Sequence, residues 1–299
     1  MTALPNQQPI PVAAPTAGAN PARIEGRAKR TNVLVWAILL VGLVLVVAPF
    51  VWMVLGSFKP QGEFLRVPPT WLPEQPTLDN YQRLFDRLDF PRFFFNSVVV
   101  AAAVTIGNLI FAPMLGWALA KLRWRGKGFV MGLVLATLML PAGATLIPLF
   151  ILMSSLGLVN TYPGLILPFV AGPLGVFLTR QYFLGIPDEL IEAARIDGAS
   201  EGRIFWQLAM PLAAPILATL GILTFLGSWN SFIYPLVMSQ EPDMYTLPVA
   251  LATFATGQFQ ADHGMLMAGS VVLVVPVLIV FVLMQRWITE GIATTGLKG

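Results

Sequence analysis

The sequence contains no cysteine among its 299 residues, and only 11% of its residues are charged. The absence of cysteine excludes a disulfide framework and a thiol site. The few charges lie in clusters separated by long apolar stretches, and 56% of all residues are hydrophobic. This combination is typical of a protein that spans a membrane.

The apolar stretches themselves lack charged side chains, apart from Arg180 near the end of one of them. Carriers driven by a proton or sodium gradient generally keep charged residues in their spans, where burial makes each charge expensive and its retention functional. Coupling through span carboxylates is therefore disfavoured, although backbone carbonyls remain possible sodium ligands. The chain also lacks a Gly-x4-Gly-Lys-Ser/Thr phosphate loop, so energy from ATP has to come from a partner protein.

Six stretches are long and apolar enough to cross about 30 Å of hydrocarbon as helices, which takes roughly 20 residues each. They predict an all-α membrane protein with six transmembrane helices. The third and fourth stretches are separated at 157–164, where glycine, asparagine and proline interrupt an uncharged region. The predicted spans are 33–56, a segment within 93–120, 129–153, 165–182, 211 to about 232, and 265–285.

The first 30 residues differ from the rest of the chain, because they are rich in proline, alanine, asparagine and glutamine. Such a composition cannot bury a core. The sequence therefore predicts a disordered cytoplasmic tail at 1–30 and a six-span transmembrane domain at 31–299.

The distribution of lysine and arginine predicts the orientation, because these residues accumulate in short cytoplasmic loops. They concentrate in the tail, in the second-to-third and fourth-to-fifth loops and at the C-terminus, whereas the third-to-fourth and fifth-to-sixth loops contain none. The four basic segments alternate so that all share one side. Both termini are therefore predicted to be cytoplasmic, and the basic run 121–127 is interpreted as a topology anchor rather than a nucleic-acid site.

A short helix is predicted within the cytoplasmic loop at about 185–210. Pro187, Asp188 and Glu189 suit its N-terminus, whose dipole favours negative charge, and Gly198 suits a left-handed C-terminal cap. A helix of about ten residues is marginal alone in water. It therefore needs a surface to pack on.

Four apolar residues share one face of this helix, while Glu192 and Arg195 lie opposite, three residues apart and able to pair. The small apolar face suits docking into the groove of a partner protein. It suits equally well a helix that rests on the membrane surface. The apolar residues are Leu190, Ile191, Ala193 and Ala194.

The spacing within this loop resembles the EAA loop of ABC importer permeases. The pattern comprises Glu192-Ala193-Ala194, Gly198, Leu208, Met210 and Pro211, with Leu208 and Met210 where the family usually has Ile and Leu. The resemblance implies that the loop forms a coupling helix, which sits in a cleft of the ATPase subunit and transmits its closure. The residues that it assigns to this coupling are Glu192, Ala193, Ala194, Asp197 and Gly198.

The resemblance extends from about residue 33 to the end and is closest to the MalG-like branch of carbohydrate permeases. The tail lies outside it, and Thr295 and Leu297 depart from the usual Ala and Val of the terminal motif. The further matching segments are 57–60, 77–81, 96–97, 118–122, 156–161, 229–230 and 296–299.

This family resemblance implies a type I ABC importer permease fold and a multi-pass subunit of the cell inner membrane that forms half of a translocation pore for a sugar. The implied partners are a second permease subunit, two ATPase subunits, an extracellular or periplasmic substrate-binding protein and the lipid bilayer, with no nucleic acid. The chain itself is expected to be non-catalytic and to bind no cofactor or metal. ATP and Mg belong to the ATPase subunits.

Polar residues within or near the spans are the candidates for a substrate path, because sugars combine apolar faces with hydrogen-bonding edges. The alternative is that tryptophan anchors a span at the interface and that asparagine and serine join helices. In the maltose-type importers that this chain resembles, most of the substrate site is built by the second permease subunit, not by the subunit that this chain resembles. The candidates are Asn96, Ser97, Asn108, Ser228, Trp229, Asn230, Ser231 and Tyr234.

The outer loop 240–264 is the segment that enters the sugar cleft of the binding protein in similar permeases. By this resemblance Gly257 and Gln258 are the candidate contacts. The lone His263 in the same loop is interpreted as a solvated residue rather than a metal ligand.

Other functions remain open at this point. Within the importer class, the substrate is alternatively a glycerol phosphate or a polyol. Outside it, the alternatives are an ion-coupled carrier or channel and a membrane enzyme acting on lipid-linked sugars, for which Asp79, Asp86 and Asp89 offer the acidic groups. Only the importer permease accounts for the EAA loop.

Overall fold

The computed structural model describes residues 21–255 and 262–296. Helices and turns account for all regular structure in this described part, in agreement with the predicted all-α class. The contacts divide the chain into two units, one ending at Trp52 and the other beginning at Met53. The α-helices are α1 (Pro21–Ser57), α2 (Asp79–Arg87), α3 (Phe90–Ala120), α4 (Lys127–Met139), α5 (Ala142–Ser155), α6 (Tyr162–Ile166), α7 (Pro173–Leu184), α8 (Asp188–Ile196), α9 (Glu201–Ile204), α10 (Met210–Leu212), α11 (Ala214–Trp229), α12 (Ile233–Met238), α13 (Leu247–Ala255) and α14 (His263–Gly296).

Helix α1 is longer than the first predicted span. It begins at Pro21 and so includes residues 21–30, which the sequence placed in a disordered tail. The tail prediction otherwise concerns residues 1–20, which lie outside the described residues. Apolar side chains such as Trp36 and Leu45 are 71% and 70% exposed, as suits a helix surrounded by lipid or by other membrane helices.

By length and hydropathy, the described chain contains four to six spans. Four helical segments qualify alone, and two pairs of helices qualify only if each bent pair is one span. The second unit therefore has fewer straight spans than the sequence predicts. The single segments are Val35–Ser57, Phe90–Ala120, Tyr162–Leu184 and His263–Leu283, and the bent pairs are Lys127–Met139 with Gly143–Ser155 and Glu201–Leu212 with Ala214–Trp229.

The predicted span 129–153 is interrupted at Leu140 and Pro141, where the two halves of the pair meet at 113°. Leu140 has an extended backbone with ψ of 129°. A residue before proline avoids the helical conformation because the proline ring collides with it. The break therefore follows from Pro141, which the predicted span contains in its interior.

The predicted fifth span bends by 78° near its start, between Glu201–Leu212 and Ala214–Trp229. The corner residue Ala213 is fully buried. A π-helical turn at Phe205–Ala209 precedes the corner. The straight part of this span therefore runs from Ala214 to Trp229 rather than from 211 to 232.

Helices α3, α7 and α11 form the packed centre of the second unit. Glycines allow α3 and α7 to approach closely, since a Cβ at Gly116 would lie 2.9 Å from the backbone nitrogen of Arg180 and still closer to Thr179 Oγ1. Small residues at such crossings are typical of membrane helix packing.

Candidate functional site

The predicted cytoplasmic helix is present as α8, which spans Asp188–Ile196. Gly198 follows it with φ of +80°. The N–H of Gly198 donates to Arg195 O at 3.0 Å, and the N–H of Ala199 donates to Ala194 O at 3.0 Å. These are the two hydrogen bonds of a Schellman cap, so α8 ends in the rigid turn that the glycine predicts.

The apolar residues of α8 divide between two surfaces. Ile191 is 2% exposed and packs in a buried cluster that includes Trp117 of α3 and Phe183 of α7. By contrast, Leu190 is 47% exposed and Ile196 is 86% exposed. Helix α8 is therefore attached to the body of its own chain and still presents an outward surface.

We call this outward surface the docking face, and it consists of Glu189, Glu192, Ala193 and Ile196, all of them exposed. The C-cap residue Asp197 is exposed beside it.

Arg195 does not pair with Glu192 as the spacing suggests. Its Nε donates to Glu201 Oε1 at 2.8 Å instead, because the turn at Gly198 brings the start of α9 beside the last turn of α8. This hydrogen bond raises the pKa of the Arg195 guanidinium. The ion pair braces the turn and leaves Glu192 on the docking face.

Lys121, directly after α3, joins that helix to the start of α8. Its Nζ donates to Ile186 O at 2.6 Å and to Asp188 Oδ1 at 2.6 Å. The lysine side chain is 8% exposed, whereas that of Asp188 is 75% exposed. The hydrogen bond and charge of Lys121 lower the pKa of Asp188, with smaller contributions from Arg195 and Arg123. The sequence predicts only a topology anchor at Lys121, because its distance from Asp188 along the chain gives no sign of this contact.

A groove of about 860 Å³ lies between the basic loop after α3 and helix α8. Arg123 and Lys127 line one part of it, and Glu192 and Glu201 line another. A partner that docks on α8 thus meets both signs of charge within one depression.

Two path candidates near the N-terminal end of α3 hold a loop in place. Asn96 donates from its amide to Asp243 O and Tyr245 O, both at 2.9 Å, and accepts a hydrogen bond from Tyr162. Ser97 Oγ accepts from the N–H of Leu247 at 2.7 Å. Both residues are buried, and the segment before α13 is anchored by them.

Trp229 and Asn230 do not line the cavity formed by α3, the α6–α7 connection and α11. Trp229 is 1% exposed and its Nε1 donates to Leu273 O at 3.1 Å, which joins α11 to α14. The Asn230 amide donates to Leu226 O of its own helix at 3.0 Å. The structure thus places both in helix packing or helix capping.

Asn108 and Tyr234 do line a cavity of about 300 Å³ between α3, the α6–α7 connection and α11. Asn108 accepts from the N–H of Gly172 at 2.7 Å and donates to Phe169 O at 2.5 Å. The Tyr234 hydroxyl donates to Gly164 O at 2.7 Å. The polar groups of both residues are therefore engaged by backbone, while their side chains shape the wall.

The candidate contacts with a binding protein, Gly257 and Gln258, lie outside the described residues. His263 begins α14, and its ring centroid is 6.0 Å from that of Phe64.

The part of the chain that contains α8 and the C-terminal end of α3 matches a known protein family. Residues 112–294 match the model for the binding-protein-dependent transport system inner membrane component. The chain belongs to this family. It is 40% identical over 278 residues to the arabinooligosaccharides transport system permease protein AraQ of Halalkalibacterium halodurans, with 91% of this chain and 99% of that protein covered. It is 35% identical over 260 residues to the diacetylchitobiose uptake system permease protein NgcG of Streptomyces coelicolor, with 86% of each covered.

The permease also resembles a solved structure along most of its length. A crystal structure of a bacterial ABC transporter involved in the import of the acidic polysaccharide alginate has a chain that matches with a TM-score of 0.77 and 26% identity. The match covers 87% of this chain and 97% of the other. The permease therefore shares its fold with a subunit of an ABC importer, as the EAA loop predicts.

Proposed function

We propose that the permease forms half of the translocation pore of an ATP-driven, binding-protein-dependent importer of a sugar, and that α8 couples it to an ATPase subunit. The observation that carries the coupling role is a helix fixed at both ends to its own chain, with an exposed docking face. Family membership supports the importer class, and relatives named for arabinooligosaccharides and diacetylchitobiose support a sugar as substrate.

In this proposal the permease has six spans, two of them bent, with both termini in the cytoplasm and the whole in the inner membrane. A second permease subunit completes the pore, two ATPase subunits bind ATP and Mg, and a substrate-binding protein delivers the sugar. The permease contributes no catalytic residue. Movement of α8 is transmitted to α3 through Lys121 and to α7 through the cluster around Ile191.

Purification in mild detergent tests the class of protein. We expect the permease to be recovered with a second permease and two copies of an ATPase. Recovery of the permease alone, together with sugar uptake into liposomes without ATP, would contradict the proposal. The affinity of the cognate binding protein for sugars, polyols and glycerol phosphate identifies the substrate.

The Glu192→Lys variant tests the docking face. The reversal places a positive charge on an exposed position of α8, so we expect insertion and folding to persist while ATP hydrolysis no longer drives uptake. Uptake and ATP hydrolysis are measured in proteoliposomes that contain the whole transporter. Asp86→Lys, an equally exposed reversal on α2, is the control and should leave the ratio of sugar imported to ATP hydrolysed unchanged.

A charge exchange tests the contact between Lys121 and Asp188. Lys121→Asp is expected to lower sugar uptake severalfold, because it removes the cation that holds the start of α8 on α3. The double variant Lys121→Asp, Asp188→Lys should recover part of the lost uptake. The lowered pKa keeps Asp188 ionised at every pH above its ordinary value of 3.8, so the wild-type contact should not vary between pH 5 and 8. Arg125→Asp, an exposed reversal in the same loop, is the control. Equal losses in the single and double variants would show that the pairing itself is unimportant.

A further inference from the structure

The 300 Å³ cavity lies in the second unit, between α3, the α6–α7 connection and α11. One wall is formed by Val100, Val104 and Asn108, which occupy the middle of the 31-residue helix α3. Since α3 is long enough to cross the bilayer, the cavity lies near the mid-depth of that span. A volume of this size is at the lower end of the range of small-molecule sites.

The adjoining wall contains irregular backbone. Between α6 and α7 the chain passes through a 3-10 turn at Leu167–Phe169 and an extended residue, Gly172, with ψ of 137°. Irregular backbone at membrane depth is tolerated only where it is buried in protein or lines a water-filled cavity. Asn108 satisfies Phe169 O and Gly172 N–H across this break. The break is therefore a stabilised feature of the cavity wall.

The third wall carries three hydroxyl groups, those of Thr224, Ser228 and Ser231. Thr224 and Ser228 are one helical turn apart on α11, and Ser231 follows the end of that helix. All three residues line the cavity and are half-buried. Within the described part of the chain, their hydroxyl groups make no hydrogen bond to protein.

Other helical hydroxyl groups of this permease behave differently. Thr219 Oγ1 donates to Pro215 O at 3.1 Å, Ser270 Oγ donates to Leu266 O at 2.8 Å, and Thr105 Oγ1 donates to Ala101 O at 2.6 Å. Such bonds to the carbonyl four residues earlier are the usual solution in apolar surroundings. The cavity hydroxyl groups thus retain both donors and acceptors for something that enters.

The remaining surface is uncharged and mostly aliphatic, with two aromatic rings. The rings of Phe169 and Tyr234 meet edge to face with centroids 4.8 Å apart, and Phe169 is 38% exposed. The described residues that line the cavity include no Lys, Arg, His, Asp or Glu. An anion there would lose its hydration without gaining a counter-charge from this chain, which is costly.

We infer that this cavity binds a neutral, hydroxyl-rich unit of the transported solute, with Thr224, Ser228 and Ser231 bonding its hydroxyl groups and Phe169 packing on an apolar face. The inference rests on the proposed importer function and narrows it. The permease itself contacts substrate, and its half of the path selects neutral saccharides over uronates and phosphates. The alginate importer that shares the fold handles an acidic polysaccharide, so the fold alone does not make this choice.

The test uses the whole transporter in proteoliposomes with three radiolabelled probes: a neutral arabinose trisaccharide, an alginate trisaccharide and glycerol phosphate. Each is added with a binding protein that accepts it. We expect the triple variant Thr224→Val, Ser228→Ala, Ser231→Ala to import the neutral trisaccharide about tenfold more slowly, because three hydrogen bonds to substrate are lost. ATP hydrolysis stimulated by the loaded binding protein should remain, which separates this loss from a failure of coupling.

The matched control is the double variant Thr219→Val, Ser270→Ala. It makes the same chemical changes at hydroxyl groups that are bonded within their own helices and lie outside the cavity. Its uptake should equal that of the wild type. Unchanged uptake in the triple variant, or wild-type import of either anion as fast as the neutral trisaccharide, overturns the inference while leaving the importer function intact. Failure of the wild type to assemble with an ATPase overturns the proposed function itself.

Discussion

Replacing Gly198 by leucine is expected to abolish ATP-driven uptake while the permease still inserts in the membrane. Gly198 has φ of +80°, a conformation that costs a residue with a Cβ roughly 1–2 kcal/mol. In the leucine variant, the turn is expected to adopt another backbone conformation that avoids this cost. The Schellman hydrogen bonds to Ala194 and Arg195 are then lost. The end of α8 and its ion pair with Glu201 no longer hold the docking face in position.

Gly202→Leu provides a matched control in the same loop. Gly202 lies on α9 and is exposed, and a Cβ added there would have no atom within 4 Å, as is true of Gly198, but its φ is not positive. The two variants therefore differ in backbone strain and not in available space. Membrane insertion, co-purification with the ATPase, ATP hydrolysis and uptake are measured for both. If the Gly198 variant transports as well as the Gly202 variant, the cap has no part in coupling.

A second large effect is expected from Gly116→Val, which should prevent the permease from accumulating in the membrane. A Cβ at this position would lie 2.9 Å from Arg180 N, so helix backbones rather than flexible side chains must move. Overpacking commonly costs about 1–3 kcal/mol, and a collision with backbone belongs at or above the upper end of that range. Helices α3 and α7 would separate. This separation would also disrupt the walls of the cavity and the buried cluster that holds Ile191.

Gly132→Val on α4 is the control for this change. Gly132 is exposed, and a Cβ added there would have no atom within 4 Å. The amount of each variant in membranes is compared by immunoblot, and the stability of the purified proteins is compared by thermal unfolding in detergent. Normal accumulation and an unchanged midpoint for the Gly116 variant would show that the α3–α7 contact is looser than the structure indicates.

The sequence was most informative where a feature depends on local chemistry. Helix α8 starts after Pro187 and is capped by the turn at Gly198, because proline, the first-turn acids and a left-handed glycine act within a few residues. The approximate positions of the apolar segments were also predictable, since each must satisfy its own backbone in lipid. Both inferences needed only neighbouring residues.

Features that depend on distant residues were not predictable. Asn96 and Asn108 are equally polar positions of α3, yet Asn96 holds the segment before α13 and Asn108 bonds both sides of the break between α6 and α7. Lys121 contacts Asp188 only because α3 and α7 pack side by side. Ser228 is a path candidate from the sequence and Thr224 is not, yet both line the cavity. Whether a helical hydroxyl group is free, as at these two residues, or bonded, as at Thr219, depends on orientation and surroundings that composition does not reveal.

The length of α1 has a consequence for the surface of the bilayer. Its 37 residues correspond to about 55 Å of helix, against about 30 Å of hydrocarbon. The helix runs for about 21 Å before Val35, where the candidate span begins. Four basic residues occupy this stretch at positions 23, 27, 29 and 30. The permease therefore carries a helical segment of net positive charge ahead of this candidate span, a charge that anionic lipid headgroups attract.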